Sequence, residues 1–183
     1  MGGRRDSHAA GRHRTDFTRP TDHTQGPRVP LGHRRPPVIC YFDTSAIIPL
    51  LVEEPLSRVS HRLWHQASWV ATARISYVEA RAGLGRASRM GRISSDESRQ
   101  AAERLNSLYR QFYQVEITPG LVTIAGDIAA DLGLRAYDAI QLAAAVSLQV
   151  DDLILITGDR ELARTAGNLG LRTISDPGRA GTK

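Results

Sequence analysis

The chain has a single cysteine among its 183 residues, so no disulfide can form within it. Such a sequence is typical of a reducing compartment. Long apolar runs are also missing, since none approaches the ~20 residues that a helix needs to cross a bilayer. The arginines near the start are not followed by the apolar stretch of a secretory signal. We therefore expect a cytoplasmic protein with no membrane partner.

Net positive charge is missing outside the first segment. Residues 1–37 hold eight arginines and three aspartates and carry the whole net charge of +5, whereas residues 38–183 hold 16 basic and 16 acidic residues. Five of the nine prolines also fall in residues 1–37, which contain few large apolar residues. This segment therefore cannot bury enough apolar surface to offset the conformational entropy lost on ordering. We predict a disordered basic tail at 1–37 and one folded domain at 38–183. Such a tail attracts nucleic acid through charge alone, although a merely solvated tail is the simpler interpretation.

From residue 38 onward, short β-prone runs alternate with stretches of helical periodicity. The predicted strands cover residues 38–42, 69–72, 115–117, 153–156 and 172–174. The predicted helices cover residues 46–51, 55–66, 75–90, 94–112, 119–132, 136–148 and 159–169. This alternation predicts an α/β fold with a parallel central sheet of four to five strands and helices on both faces. In such sheets, binding sites form beyond the carboxyl ends of the strands.

Four acidic side chains fall where this architecture places a site. Asp43 directly follows the first strand, Asp159 follows the fourth, Asp138 opens a helix, and Glu79 lies in the helix after the second strand. Taken singly, each aspartate is more simply a helix cap or first-turn residue, and Glu79 a solvated helix residue. If the four converge, their repulsion requires a cation, and carboxylate ligands favour Mg²⁺ or Mn²⁺. Such ions support phosphodiester hydrolysis without a histidine, lysine or cysteine nucleophile.

Four sequence blocks carry a resemblance to a known family. They are YFDTSA at 41–46, SYVEAR at 76–81, LRAYDAIQLA at 134–143 and TGDREL at 157–162. In this order they resemble the signature blocks of VapC-type PIN-domain proteins, the toxin halves of bacterial VapBC toxin–antitoxin pairs. The resemblance spans residues 38–176, and the first and third blocks together are its most specific part. The chain departs from the family in its N-terminal extension, because members usually begin one or two residues before the first strand.

The resemblance implies a PIN-like fold, an activity and partners. The expected protein is a homodimeric Mg²⁺-dependent endoribonuclease, a type II toxin that cleaves cellular RNA and is neutralised by a cognate VapB-type antitoxin. The residues that match the family's acidic catalytic and metal-site positions are Asp43, Glu79, Asp138 and, at the least uniformly placed position, Asp159. The residues that match hydroxyl positions lining the site in a supporting role are Thr44, Ser45 and Thr157.

Other functions match the pattern less well. A PIN module that binds RNA or a protein partner without cleaving is the alternative from a different class. Haloacid-dehalogenase phosphatases and phospho-accepting receiver domains also place an aspartate after the first strand. Both depend on a late lysine or, in some dehalogenase members, an arginine, and the one lysine here is the terminal Lys183. The phosphatases also need a second aspartate where this chain has Ser45.

Two smaller sets of residues were considered as sites. His61 and His65 are one helical turn apart, but no third zinc ligand is evident, so we interpret them as a surface pair. Four arginines on and after the Glu79 helix either bind RNA phosphates or form a solvated face: Arg81, Arg86, Arg89 and Arg92. The single cysteine, Cys40, lies in a predicted buried strand and is interpreted as a core residue.

Deleting residues 1–36 should leave the turnover of a short RNA at moderate salt unchanged, because the tail adds no packed layer. If the tail is a natural RNA-binding extension, its loss weakens RNA binding at low salt and the effect fades as salt is added. If the start codon has been assigned too far upstream, with Val29 or Val38 as the true start, mass spectrometry of the native protein shows a later first residue. A large loss of turnover or of melting temperature would contradict this interpretation.

Overall fold

The computed structural model describes residues 37–175, so the predicted tail lies outside the described residues except for residue 37. Within them, five parallel strands form one sheet in the order β3-β2-β1-β4-β5. The strands are β1 (Ile39–Phe42), β2 (Trp69–Ala73), β3 (Tyr113–Val115), β4 (Leu153–Ile156) and β5 (Arg172–Ile174). The helices are α1 (Thr44–Ile47), α2 (Ser57–Gln66), α3 (Ser76–Arg89), α4 (Ser95–Tyr109), α5 (Pro119–Leu132), α6 (Ala136–Ser147) and α7 (Arg160–Asn168).

Alternate residues of β1 belong to two separate hydrophobic cores. Ile39 and Tyr41 pack with α5, α6 and α7, whereas Cys40 and Phe42 pack with α1 to α4. Both β1 and β4 are buried at every position, which explains their uninterrupted apolar sequences. The predicted α/β fold, with a parallel sheet and helices on both faces, is therefore confirmed.

The prediction for the third strand was wrong by two residues. Its ladder with β2 pairs Ala71 with Tyr113 and Ala73 with Val115. The chain then leaves the sheet, and the hydroxyl of Thr118 caps α5 by accepting the N–H of Leu121 at 3.2 Å. The β-branched residues at 115–117 favour a strand locally, but pairing with the neighbouring strand decides where an edge strand lies.

Several helix boundaries also differ from their predictions, and the two largest differences are in α4 and α1. The helix predicted at 94–112 ends at Tyr109, yet Phe112 is buried because its ring packs against those of Phe42 (5.6 Å between centroids) and Trp64 (4.9 Å). The helix predicted at 46–51 begins at Thr44 and continues as a 3-10 helix, Ile48–Leu50. By contrast, α5 begins and ends as predicted, and Gly133 terminates it with a positive φ of 71°.

The strand order creates a crevice between β1 and β4. From β1 the chain continues to β2 and β3 on one side of the sheet, whereas β4 and β5 lie on the other side. The helices that follow the two strands, α1 and α7, pack on opposite faces. This reversal is the topological switch point at which open α/β sheets bind ligands.

The longest helix, α4, has 15 residues. No helix between residues 37 and 175 is both long enough and apolar enough to cross a membrane.

Leu105→Ala should lower the free energy of unfolding by roughly 2–5 kcal/mol, because it leaves a cavity in a packed core. Leu105 is fully buried on α4, in the core that contains Phe42 and Trp64. Val122→Ala on α5 is the control, since this side chain is 51% exposed and should contribute less than about 0.5 kcal/mol. Urea unfolding followed by tryptophan fluorescence measures both, and equal losses would contradict the core assignment of Leu105.

Candidate active site

Asp43 lies at the start of the crevice and is only 6% exposed. Its backbone N–H donates to the carbonyl of Ile156 at 3.0 Å, which joins the ends of β1 and β4. Its Oδ1 accepts the backbone N–H of Thr44 (2.6 Å), so Asp43 is the N-cap of α1. Its Oδ2 accepts the hydroxyls of Ser45 (2.6 Å) and Thr157 (2.8 Å). Neutral donors thus hold both carboxylate oxygens.

The hydroxyls of Ser45 and Thr157 connect Asp43 to the loop after β4. Ser45 Oγ accepts the N–H of Gly158 at 2.7 Å, and Thr157 Oγ1 accepts the N–H of Asp159 at 3.0 Å. Each hydroxyl therefore accepts from the backbone while it donates to the carboxylate. Two of the three hydroxyl side chains expected to line the site therefore lie beside its most buried acid.

Glu79 lies in the first turn of α3 and is partly buried. Thr44 Oγ1 donates to Glu79 Oε2 at 2.5 Å, and Gln141 Nε2 donates to the same oxygen at 2.8 Å. Neither of these bonds ends on Oε1. Thr44 links two acids, because its backbone N–H binds Asp43 while its hydroxyl binds Glu79.

The other two acids are partly exposed. Asp138 lies in the first turn of α6, whereas Asp159 is the N-cap of α7, with Oδ1 accepting the N–H of Leu162 at 2.9 Å. The pKa of Asp138 is raised to about 6, chiefly by burial and also by the negative charges of Asp159, Asp43 and Glu79, against the opposing effect of Arg135. The other three predicted acids therefore all lie within electrostatic reach of Asp138.

The pKa values of the two more enclosed acids are also raised. Burial raises the pKa of Asp43 above the usual carboxyl value, opposed by the hydroxyls of Ser45 and Thr157. Burial likewise raises the pKa of Glu79, opposed by its hydrogen bonds from Thr44 and Gln141. Without a cation, the cluster therefore holds its negative charge at an energetic cost.

Comparison with known proteins assigns the chain to a family. Residues 40–168 match the PIN domain family model. The chain is 31% identical over 134 residues to Ribonuclease VapC45 of Mycobacterium tuberculosis (strain CDC 1551 / Oshkosh), a match that covers 73% of this chain and 93% of the relative. The chain belongs to the VapC-type PIN-domain family.

Solved structures agree with this PIN assignment. The crystal structure of PAE2754 from Pyrobaculum aerophilum superposes with a TM-score of 0.54 at 26% identity, covering 74% of this chain and 83% of that chain. VapBC2 from Rickettsia felis, solved bound to a DNA fragment from its promoter, gives a TM-score of 0.54 at 12% identity and covers 75% and 98% of the two chains. The second likeness shows the fold alone.

The donor atoms of this PIN domain suit a hard divalent cation, because they are carboxylate and hydroxyl oxygens. Between residues 37 and 175, no group of three or more His, Cys, Asp or Glu side chains is arranged to hold a metal ion. Mg²⁺ does not require such a cage, since it is usually bound through one or two carboxylates, several waters and substrate phosphate oxygens. The charge and donor chemistry of the cluster therefore fit an ion of this kind.

A polar layer behind Glu79 was not predicted from the sequence. Each of its side chains is at most 1% exposed: Tyr41, Thr72, Ser76 and Gln141. The available signal was Gln141, a polar residue within the apolar run at 139–145 and three residues after Asp138, which places both on one side of α6.

The remaining candidates lie outside the acid cluster. His61 and His65 are exposed on α2, as expected for a surface pair, and Cys40 is fully buried. The four arginines on and after α3 are exposed. Arg81 lies 6.0 Å from the ring centroid of Tyr77 and lines a groove of about 490 Å³ that also contacts α4.

Asp138→Asn should raise the free energy of unfolding of the metal-free protein at pH 7 to 8. Because the folded-state pKa, about 6, exceeds the usual value of 3.8, protonated Asp138 stabilises the fold below pH 4 and this contribution is lost as the pH rises through 6. Because Asp138 is partly exposed, solvent screening limits the increase in the free energy of unfolding of Asp138→Asn to about 1 kcal/mol.

The measurement is urea unfolding in EDTA between pH 3.5 and 8. The advantage of Asp138→Asn over the wild type should disappear at the acidic end. Asp127→Asn, at an exposed position of α5, is the matched control and should show no comparable gain. A less stable Asp138→Asn protein at pH 7 would show that this carboxylate stabilises the fold.

Proposed function

We propose that this PIN domain is a Mg²⁺- or Mn²⁺-dependent endoribonuclease and the toxin of a type II toxin–antitoxin system. The observation that carries the proposal is a cluster of four coupled acids at the switch-point crevice: Asp43, Glu79, Asp138 and Asp159. The 31% identity to a protein named Ribonuclease VapC45 supports RNA as the substrate class. Cellular RNA is the proposed substrate, and the cytoplasm is the proposed location.

In this proposal the four acids would share in holding the ion, directly or through the waters that Mg²⁺ retains, and the ion would supply Lewis-acid stabilisation and an activated water. The protein's own contribution begins at Asp43, whose Oδ2 receives the hydroxyls of Ser45 and Thr157. Hydrogen bonds to a carboxylate favour its ionised form and thereby oppose the effect of burial. Thr44 fixes the orientations of Asp43 and Glu79 relative to each other, since it donates to both.

The products distinguish two routes of RNA cleavage. Attack by water at phosphorus leaves a 5′-phosphate and a 3′-hydroxyl if the bond to the 3′ oxygen breaks. It leaves a 3′-phosphate and a 5′-hydroxyl if the bond to the 5′ oxygen breaks. For a VapC-type site we propose that the 3′ oxygen departs, which leaves 3′-hydroxyl and 5′-phosphate ends. A 2′,3′-cyclic phosphate would instead show attack by the RNA's own 2′-hydroxyl.

A cognate VapB-type antitoxin and a second copy of this chain are the proposed protein partners. Support for the antitoxin comes from the fold shared with VapBC2 of Rickettsia felis. The homodimer rests on the likeness to VapC-type proteins. A PIN module that binds RNA or a protein without cleaving is the alternative function.

The purified full-length protein should cleave single-stranded RNA with Mg²⁺ or Mn²⁺ and stop when EDTA is added. Asp43→Asn should reduce the rate by more than the roughly 100-fold typical of losing a supporting partner of a metal site. Asparagine is itself a good N-cap, so α1 can keep its cap while the charge is removed. Asp151→Asn is the matched control, because Asp151 is exposed and precedes β4 at the opposite edge of the sheet.

The other acids extend the same test. Asp138→Asn should also abolish cleavage, and Glu79→Gln should be severe. Asp159→Asn should be milder, since asparagine preserves the cap of α7. Equal activity in EDTA would contradict the mechanism, whereas RNA binding without cleavage by the wild type would favour the non-catalytic module. Normal cleavage by Asp43→Asn would show that the carboxylate of Asp43 has a structural role only.

A further inference from the structure

A buried amide lies directly behind the candidate active site. Gln141, on α6, is 1% exposed. The hydroxyl of Tyr41 donates to its Oε1 at 2.7 Å. At the other end, Nε2 donates to Glu79 Oε2 at 2.8 Å and to Ser76 Oγ at 3.0 Å. The side chain therefore bridges β1 and α3, the elements that position the two most enclosed acids.

The chemistry of its neighbours fixes the orientation of this amide. An ionised carboxylate can only accept hydrogen bonds, so the group of Gln141 that faces Glu79 must be the NH₂. The phenolic hydroxyl of Tyr41 then donates to the carbonyl oxygen. A flipped amide would place its oxygen against the carboxylate and lose the bond to Glu79. Glu79 thus fixes the orientation of the amide, and the hydroxyl of Tyr41 holds its carbonyl end in place.

The amide also belongs to a larger buried network. Its Nε2 lies 3.2 Å from Thr44 Oγ1. Ser76 Oγ lies 2.8 Å from Thr72 Oγ1, which in turn donates to the carbonyl of Phe42 at 2.7 Å. A buried polar group that loses its partner is destabilised by its desolvation, so such a network favours one arrangement of its members.

We propose that Gln141 is a positioning residue for the acid cluster and that Tyr41 holds it in place. By holding Oε2 of Glu79, Gln141 keeps that side chain in one rotamer and leaves Oε1 without a donor among residues 37–175. Asp138 lies three residues before Gln141 on α6. The hydrogen bonds of Gln141 therefore also fix the position of this part of α6, and with it Asp138, relative to Glu79. The inference rests on the proposed function for its effect on metal binding and catalysis.

A positioning role and a purely structural role predict different losses. A structural role lowers the melting temperature alone. A positioning role also weakens metal binding and lowers kcat. It leaves the KM for RNA unchanged, because Gln141 and Tyr41 are too buried to touch the substrate.

Tyr41→Phe is the sharpest variant, since it removes only the hydroxyl that holds the amide. The matched control is Tyr109→Phe, because the buried hydroxyl of Tyr109 donates to the carbonyl of Arg74 at 2.8 Å rather than to Gln141 or to an acid of the cluster. Electron paramagnetic resonance measures the Kd for Mn²⁺. Cleavage assays on a short RNA give kcat and KM. Tyr41→Phe should weaken Mn²⁺ binding about 10-fold and Gln141→Leu by roughly 10–100-fold. Tyr109→Phe should lose stability only.

A measurement on the metal-free protein separates this inference from the proposed function. In ¹⁵N-labelled protein with EDTA, the side-chain amide protons of Gln141 should exchange slowly, and their shifts should change in Tyr41→Phe and Glu79→Gln. Fast exchange in the wild type would overturn the positioning role. Unchanged Mn²⁺ affinity and kcat in both Tyr41→Phe and Gln141→Leu would overturn it while leaving the nuclease intact. The side-chain amide of Gln141 could exchange slowly in a protein that neither binds Mn²⁺ nor cleaves RNA. This result would support the hydrogen bond from Gln141 to Glu79 and would overturn the proposed function.

Discussion

A carboxylate buried between the ends of two parallel strands constrains the structure around it. Asp43 cannot turn toward water, since it is 6% exposed, and burial raises its pKa. It therefore needs hydrogen-bond donors from the protein. The chain supplies them from two directions, with Thr44 and Ser45 following β1 and Thr157 following β4. The junction of β1 and β4 is thus held together by the acid that the site requires.

Capping and chemistry use the same side chains in this PIN domain. Asp43 caps α1 and Asp159 caps α7, so the simpler interpretation of each aspartate is correct. It does not exclude the functional interpretation. A cap fixes one carboxylate oxygen on a backbone N–H and so limits the rotation of the group. A helix N-terminus also interacts favourably with negative charge, which partly offsets the repulsion within the cluster.

Local signals were sufficient to predict most of the fold. The apolar runs of β1 and β4 and the proline and glycine that bound α5 depend on nearby residues alone. The position of β3 was missed because pairing with β2, rather than β-propensity, decides it. Phe112 is buried as its spacing predicts, but outside the helix, because it packs against two rings distant in sequence.

The candidate site was predictable only in part, for the same reason. The four acids were found individually, but their convergence depends on the strand order and was suggested by resemblance rather than by spacing. Gln141 and Tyr41 lie 100 positions apart, and nothing in the local sequence pairs them. Contacts of this range become visible only when the fold brings the two segments together.

The buried polar layer behind Glu79 opposes the mutual repulsion that acts in any metal-free cluster of carboxylates. Mutually repelling carboxylates lower their energy by rotating apart into water, which would destroy the arrangement that a cation needs. Asp43 is prevented from doing so by burial, and Glu79 by its bonds from Thr44 and Gln141. Asp138 and Asp159 are partly exposed and retain more contact with solvent. The fold therefore restrains Asp43 and Glu79 most, holds Asp159 by one oxygen at the cap of α7, and leaves Asp138 the least restrained of the four.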